Sequence, residues 1–306
     1  MPAVTDPASA PEIALAGSMD PRTAPVRVGD TVRRPPGSSG EAVVALLRHL
    51  EAVGFDGAPR HLGTDELGRE VLTYIEGDVP LPPYPGWALT DQALADLGAL
   101  VRRFHEAAAS FQPPAGAMWA TDWADPTWTS SGADPTGGPN RTGAGLTDEA
   151  GHGAIGAAAR PAGWTITHND LFPENVVFRD GRVVALIDFA MAAPGRPLWD
   201  VAIAAEMWAP LGDPAWPDQH PPDLDGVARI GILARAYGLA ADRAEELLDI
   251  LVEERAHSLA NIRAEIAAGN ESWIGNWAAA GGDERAAADD RWIARHRSAL
   301  VRAIAG

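Results

Sequence analysis

Apolar and polar residues in the first quarter of the chain alternate in a way that predicts a small β-sheet. Apolar residues in "VRVGDTVRRP" (26–35) lie on both sides of a Gly-Asp pair, which is typical of a hairpin. The apolar run at 71–75 predicts a buried strand, and 40–55 repeat apolar residues at helical spacing. The pattern therefore predicts an N-terminal lobe at 26–77, made of strands and one helix.

From residue 78 onward the apolar spacing is that of amphipathic helices. The prolines of "DVPLPPYPG" mark a connection between two lobes. "LTDQALADLGALVRRFHEAAASF" has one apolar stripe and Thr90 as its N-cap, and another helix is predicted from about Asp242, with Glu245 as its capping-box partner. The expected fold class is α+β with two lobes: a small β-sheet N-lobe and a larger helical C-lobe at 78–306.

Two segments show neither spacing. Residues 1–25 are rich in proline and alanine, and we expect a loose N-terminal segment. Residues from about 113 to 162 are rich in Gly, Pro, Ala, Ser and Thr and contain Trp119, Trp123 and Trp128. Such a composition predicts a long, flexible surface insertion in the C-lobe, ordered in part by the aromatic rings, that could cover a site.

Polar side chains gather in "WTITHNDLFPENVVFRDGRVVALIDFA" (164–190). A short strand precedes a loop, and two apolar runs around an Asp-Gly pair then predict a hairpin. The second strand returns to the loop, so Asp170, Asn175 and Asp188 should converge. Each residue taken singly is typical of a turn or cap, but the set has the donors of phosphoryl transfer: a carboxylate for the attacking hydroxyl, and a carboxamide with a second carboxylate for Mg²⁺.

Composition narrows the possible partners. The 306 residues carry a net charge of −18, which disfavours nucleic acid and anionic membranes and would attract a cationic small molecule. Cysteine is absent and all 24 basic residues are arginine, so thiolate and Schiff-base chemistry are excluded. The N-terminus lacks the pattern of a signal peptide, and no apolar run has the length of a membrane span. We therefore expect a cytoplasmic protein, of unknown oligomeric state.

Several motifs resemble those of one enzyme family. His168-Asn169-Asp170 followed by Asn175 matches the kinase catalytic-loop pattern, and "ALIDFAMAAPGRPLWDVA" is similar to a later segment of the aminoglycoside phosphotransferase-like (choline kinase-like) small-molecule kinases. "DTVRRP", "ALLRHLEAVGFDGAPRHLG", "GREVLTYIEG" and "LVRRFHEA" resemble its small-lobe and hinge segments. The resemblance covers most of the chain and implies a protein-kinase-like two-lobed fold.

The resemblance also implies roles for individual residues. Asp170 would be the catalytic base, and Asn175 and Asp188 would bind Mg²⁺. His168 and Asp200 would support the catalytic loop structurally. The hinge that takes the base of ATP (or GTP) through backbone groups would comprise Thr73, Tyr74, Ile75 and Glu76.

Two features depart from the family pattern. No glycine-rich phosphate loop precedes the first hairpin, and the phosphate-binding lysine of the third strand is replaced by Arg33 or Arg34. Arginine can hold phosphate oxygens bidentately. The resemblance favours Arg33 as the nucleotide-binding residue, with Glu41 as its ion-pair partner and Arg34 pointing to solvent.

The function that these expectations favour is ATP-dependent (or GTP-dependent) phosphotransfer to a hydroxyl of a small, cationic molecule such as an aminoglycoside. A non-catalytic binding or immunity protein with a kinase fold is an alternative, favoured by the missing lysine and glycine-rich loop. A metal-dependent hydrolase using Asp170 and Asp188 is a second alternative. His105 is interpreted as a packing histidine, and His220 as part of a solvated acidic loop.

Overall fold

The structure is a computed structural model, and it describes residues 11–15, 24–35, 40–120, 122–128, 152–154, 163–216, 220–221 and 223–306. The N-lobe contains a five-stranded antiparallel sheet in the order β1-β2-β3-β5-β4. Its strands are β1 (Glu12–Ala14), β2 (Val26–Val28), β3 (Thr31–Arg34), β4 (His61–Thr64) and β5 (Glu70–Thr73). The predicted hairpin and the strand near 71–75 are confirmed. β1 lies within the segment expected to be loose.

One face of this sheet is turned toward the rest of the molecule. In an antiparallel ladder, residues directly opposite each other point to the same face. Arg27 is opposite Val32, Val32 is opposite Leu72, and Arg34 is opposite Glu70. These five residues define the inner face of the sheet, because Leu72 belongs to the hydrophobic core and Val32 packs against it.

Helix α1 (Glu41–Ala52) is the single helix of the N-lobe among the residues that the structure describes. Its apolar stripe is buried in the same core as Leu72. The helical spacing at 40–55 is therefore confirmed. Burial of that stripe fixes the helix beside the sheet and leaves its polar side in solvent.

The C-lobe is mostly helical, as the sequence pattern predicts. Its helices are α2 (Asp91–Ala108), α3 (Pro197–Trp208), α4 (Gly226–Tyr237), α5 (Ala244–Ala267), α6 (Glu271–Ala279) and α7 (Gly282–Ala305). Thr90 caps α2 by accepting a hydrogen bond from the Ala93 N–H, as expected. Gly98 lets α2 approach α4 closely, because a Cβ there would lie 2.9 Å from the carbonyl oxygen of Leu233.

Short strands connect these helices to the polar loop. β8 (Thr165–Thr167) pairs with β11 (Ala193–Gly195), and β9 (Val176–Arg179) pairs with β10 (Arg182–Leu186) in the predicted hairpin. Its turn is formed by Asp180 and Gly181, both at positive φ (51° and 74°), as tight hairpins require.

The expected insertion at about 113–162 is described only in part. β6 (Met118–Ala120) pairs with β7 (His152–Ala154), and Trp119 is fully buried. Residues 129–151 and 155–162 lie outside the described residues, so the predicted flexibility stays a prediction. Among the helices of the described part of the chain, none has the length and apolar character needed to cross a membrane.

Candidate active site

The hairpin brings Asp170, Asn175 and Asp188 to one end of the β9–β10 pair. The Asn175 amide donates to the Asp170 carboxylate over 2.7 Å and to the Asp170 carbonyl over 3.0 Å. Asp188 lies two residues after the end of β10 and adopts a left-handed backbone conformation (φ 60°), which is costly for a residue with a side chain. That conformation turns the chain sharply after the strand and leaves the Asp188 carboxylate 43% exposed at the loop.

The electrostatic environment holds a proton on Asp170 more tightly than usual. Burial, and next the negative charge of Asp188, raises the pKa of Asp170 to about 7, although the Asn175 hydrogen bond acts in the opposite direction. Two carboxyl groups so close together in a partly desolvated site repel each other when both are ionised. A cation near Asp188 would relieve this repulsion.

Asp200 fixes the loop that carries Asp170. Its buried carboxylate accepts the backbone N–H groups of His168 (2.7 Å) and Asn169 (2.9 Å). The Asn169 side chain donates to the carbonyl of Met191 over 2.9 Å, and Asn169 itself has a positive φ of 63°. The loop is thus over-determined by hydrogen bonds at the residue immediately before Asp170.

His168 is positioned as a structural element of this loop. Its Nε2 donates to the carbonyl of Ile187 over 3.0 Å, and its ring packs against Phe189. Burial lowers the pKa of His168. The buried ring is therefore neutral and connects the loop to Ile187, between the end of β10 and Asp188.

His105 has a larger role than packing. Its Nε2 lies 2.9 Å from the Asp200 carboxylate, and its Nδ1 lies 3.0 Å from the Tyr237 hydroxyl. Burial, and next the charge of Asp200, raises the pKa of Tyr237, so the phenol keeps its proton and can donate it in a hydrogen bond. The local sequence around His105 does not predict these two hydrogen bonds, because the partner residues come from α3 and α4.

Arg34, and not Arg33, reaches the site. Arg34 Nη2 lies 2.9 Å from Asp188 Oδ1, whereas Arg33 bonds to Thr31 and lies 3.6 Å from Asp65. The expectation that Arg34 points to solvent is wrong, since its side chain is only 14% exposed. The physical reason is strand alternation: Arg34 opposes Glu70 on the inner face, and Arg33 points to the opposite face.

The expected partner of the arginine also differs. Glu41 is exposed at the first position of α1 and forms no ion pair with any described residue. Glu70, directly across the ladder, lies 4.0 Å from the guanidinium of Arg34 and is buried. Glu41 is therefore removed from the candidate set, and Glu70 takes its place.

The segment expected to be the hinge, residues 73–76, has some backbone groups without a backbone partner. The Thr73 N–H donates to the carbonyl of Arg60, and the Tyr74 N–H donates to the carbonyl of Asp30. The carbonyl of Glu76 accepts a hydrogen bond from the Arg179 side chain. Within the residues that the structure describes, the N–H groups of Ile75 and Glu76 donate to no backbone carbonyl. Backbone N–H groups that lack a backbone partner can donate to a ligand.

The connection after the hinge is held tightly. Asp78 and Phe178 exchange two backbone hydrogen bonds of 2.8 Å, which join the hinge to β9 of the C-lobe. Gly77 has a φ of 153°, and a Cβ there would lie 2.2 Å from the Phe178 carbonyl oxygen. Only glycine fits at position 77, where the backbone crosses close to Phe178; we call this contact the hinge crossing.

The donor chemistry fits a hard cation held by few protein ligands. Asp188 supplies an exposed carboxylate, and the Asn175 amide, whose nitrogen bonds Asp170, turns its oxygen away from that residue. Magnesium prefers oxygen donors, and on a nucleotide it keeps waters and phosphate oxygens as its other ligands. Within the described part of the chain, this site included, no group of three or more acidic, His or Cys side chains is placed to hold a metal ion. His220 Nε2 lies 2.9 Å from the carbonyl oxygen of Met207.

The fold and site define a kinase-like phosphotransferase class. Residues 25–225 match the model of the phosphotransferase enzyme family. The chain is 33% identical over 305 residues to the trifolitoxin immunity protein of Rhizobium leguminosarum bv. trifolii, covering 96% of this chain and 99% of that protein. The chain belongs to the phosphotransferase enzyme family.

Solved structures show the same protein-kinase-like fold. A choline/ethanolamine kinase family protein from Mesorhizobium loti superposes with a TM-score of 0.58 at 18% identity, covering 97% of this chain and 93% of that one. The GDP complex of wild-type aminoglycoside 2'-phosphotransferase-IIIa superposes with a TM-score of 0.52 at 15% identity, covering 87% and 89%. The expected α+β two-lobed fold and the family resemblance are confirmed.

Proposed function

We propose that this protein transfers the terminal phosphoryl group of ATP or GTP to a hydroxyl group of a small, amine-bearing molecule. The observation that carries the proposal is the convergence of Asp170, Asn175, Asp188 and Arg34. The segment expected to be the hinge adds the N–H groups of Ile75 and Glu76, which donate to no backbone carbonyl of the described residues. Phosphoryl transfer depends on positioning and charge stabilisation, and this set supplies both.

Asp170 is assigned the role of general base. It orients the acceptor hydroxyl and takes its proton while the new oxygen–phosphorus bond forms and the bond to the leaving diphosphate breaks. The Asn175 hydrogen bond fixes the carboxylate, and the Asp200 brace fixes the backbone beneath it. Asp188 and the oxygen of Asn175 would hold Mg²⁺, which neutralises phosphate charge when bound.

Arg34 is assigned the role that lysine plays in the family pattern. Its guanidinium can donate two parallel hydrogen bonds to phosphate oxygens, a geometry that a lysine ammonium cannot offer. In the described structure this group is held at Asp188. A phosphate placed between them would meet both a cation and the metal-binding carboxylate.

The surface charge supports an amine-bearing acceptor. A net charge of −18 attracts cations and raises their local concentration near the protein. Two of the structural neighbours are named for amino alcohols or aminoglycosides. An acceptor with both a hydroxyl and an amino group fits the charge and the chemistry together.

A second candidate function is immunity by binding without catalysis. The similarity to an immunity protein along nearly the whole chain favours it. The two candidates differ in what they require of Asp170: catalysis requires its carboxylate, and binding does not. A protection assay in cells challenged with the toxic compound would separate them, since Asp170→Asn would abolish protection only if phosphorylation is its cause.

The decisive experiment measures nucleotide binding and turnover with purified protein. Thermal unfolding is recorded with ATP or GTP, with and without Mg²⁺, and phosphate transfer to a panel of amino alcohols and aminoglycosides is followed. A ligand at 100 times its Kd stabilises the folded state by about 2.7 kcal/mol, which is easily detected. Failure of both nucleotides to bind, with Mg²⁺ present, would reject the proposal.

A further inference from the structure

Arg27 on β2 is a half-buried arginine with no carboxylate partner among the described residues. Its Nε donates to the Gly29 carbonyl over 2.8 Å, which fixes the guanidinium plane. In the described structure its two terminal nitrogens make no hydrogen bond to the protein. Among the described residues, these two terminal nitrogens therefore remain available to donate to a ligand.

The sheet register places Arg27 on the inner face of the N-lobe sheet. Arg27 opposes Val32 on the inner face, the same face from which Arg34 reaches Asp188. β3 runs from Thr31, opposite the hinge residue Thr73, to Arg34 at its other end. Val32 lies two residues nearer the hinge than Arg34, about 7 Å along the strand.

Contact with Tyr74 places the guanidinium itself at the hinge. The Arg27 guanidinium carbon lies 3.7 Å from the centre of the Tyr74 ring, within the range of a cation–π contact. The Tyr74 backbone is in turn fixed by its N–H bond to Asp30. A nucleotide with its phosphates at Arg34 and its base at the hinge therefore brings that base to Arg27.

Resting on the proposed nucleotide-dependent function, we propose that Arg27 contacts the nucleotide base and selects guanine over adenine. Guanine presents two acceptors, O6 and N7, on one edge, and an arginine fork can donate to both. Adenine presents N7 beside an amino group, which would face the guanidinium donor to donor. The base edge that Arg27 favours is therefore that of GTP or GDP.

The test compares equilibrium binding of GDP and ADP to the full-length protein, with no acceptor present. The wild type should bind GDP at least about ten-fold more tightly than ADP, or roughly 1.4 kcal/mol. Arg27→Ala should lose most of this ratio, mainly through weaker GDP binding. Arg48→Ala, which removes an exposed arginine of α1, is the matched control and should keep the wild-type ratio.

A second variant distinguishes loss of the base contact from loss of folding. Arg27→Lys keeps the charge but not the planar fork, so it should keep the thermal stability and still lose the preference for GDP. Equal affinities for GDP and ADP in the wild type, or an unchanged ratio in both Arg27 variants, would overturn this inference and leave the proposed function standing. Binding of neither nucleotide would overturn both.

Discussion

Arg33 and Arg34 are neighbours in one strand but have different surroundings. Arg34 lies at Asp188, and Arg33 lies beside Asp65 on the other face. Arg34→Ala should weaken nucleotide binding or turnover by at least ten-fold, about 1.4 kcal/mol, because no other described cation contacts Asp188. Arg33→Ala is the matched control and should stay near the wild type. Titration with nucleotide and steady-state kinetics give the answer, and equal small effects would exclude Arg34 from phosphate binding.

Asp170 should affect rate more than affinity. General-base catalysis contributes about 10²–10⁴ in rate, so Asp170→Asn should lower kcat by roughly that factor. The amide keeps the size of the side chain and can still bond Asn175, so the fold and the nucleotide affinity should change little. Single-turnover kinetics and nucleotide titration measure the two quantities separately. A collapse of affinity with an intact rate would assign Asp170 to metal binding instead.

Some of the site could be predicted from sequence at the level of single residues, and some could not. Asp170, Asn175 and Asp188 converge because one local hairpin joins them, and that hairpin has a clear turn signal. The choice between Arg33 and Arg34 depends on strand register, where a shift of one residue reverses the face. The bonds of His105 to Asp200 and Tyr237 span 95 and 132 residues, so local pattern contains no trace of them.

At the scale of elements, long periodic segments were predictable and short ones were not. α2 has a complete apolar stripe and a Thr90 cap, and both are present in the structure. The capping box expected at Asp242 does not form, because Ala241–Arg243 makes a 3₁₀ turn and α5 begins at Ala244 without a side-chain cap. β4 was missed because Gly63 interrupts its alternation, and its ladder is irregular there.

The hinge crossing is an element whose stability can be tested. Gly77→Ala would place a Cβ against the Phe178 carbonyl and would require a backbone conformation that alanine rarely adopts. We expect a loss of more than about 1 kcal/mol in the free energy of unfolding, since incompatible substitutions cost more than the entropy they save. Chemical denaturation of Gly77→Ala and of the wild type measures this difference in the free energy of unfolding.

Gly86→Ala is the control for that experiment. Gly86 has open space around its Cβ position and lies outside the positive-φ glycines of the described chain. Its substitution should leave the unfolding free energy within about 0.5 kcal/mol of the wild type. Equal losses in both variants would show that the crossing at Phe178 is not tightly packed.

At the scale of the whole molecule, one buried carboxyl group couples folding to pH. Burial, and next the charge of Glu206, raises the pKa of Glu254 well above its ordinary value of 4.5. The folded protein therefore keeps a proton that the unfolded chain releases above that pH. Because the folded state then binds more protons, stability falls as pH rises from about 4.5 until the folded carboxyl group also ionises.

Glu254→Gln removes this ionisation and can still accept the Ser258 hydrogen bond. Its stability relative to the wild type should increase as pH rises from 4.5 toward neutrality, as measured by denaturant unfolding at several pH values. Glu284→Gln, at an exposed site of α7, is the control and should show no such trend. A difference between Glu254→Gln and the wild type that does not vary with pH would contradict the assignment.

The proposed phosphate-binding role of Arg34 has a consequence for chemical labelling. Reagents that profile kinases by acylating the side-chain amine beside the nucleotide phosphates need a nucleophilic lysine there. In the proposed function Arg34 takes that place. The sequence contains no lysine, and a guanidinium stays protonated and does not react as an amine. Proteins of this kind would therefore be invisible in lysine-directed activity surveys, and guanidine-directed dicarbonyl reagents are the matching probes, with bound nucleotide expected to protect Arg34.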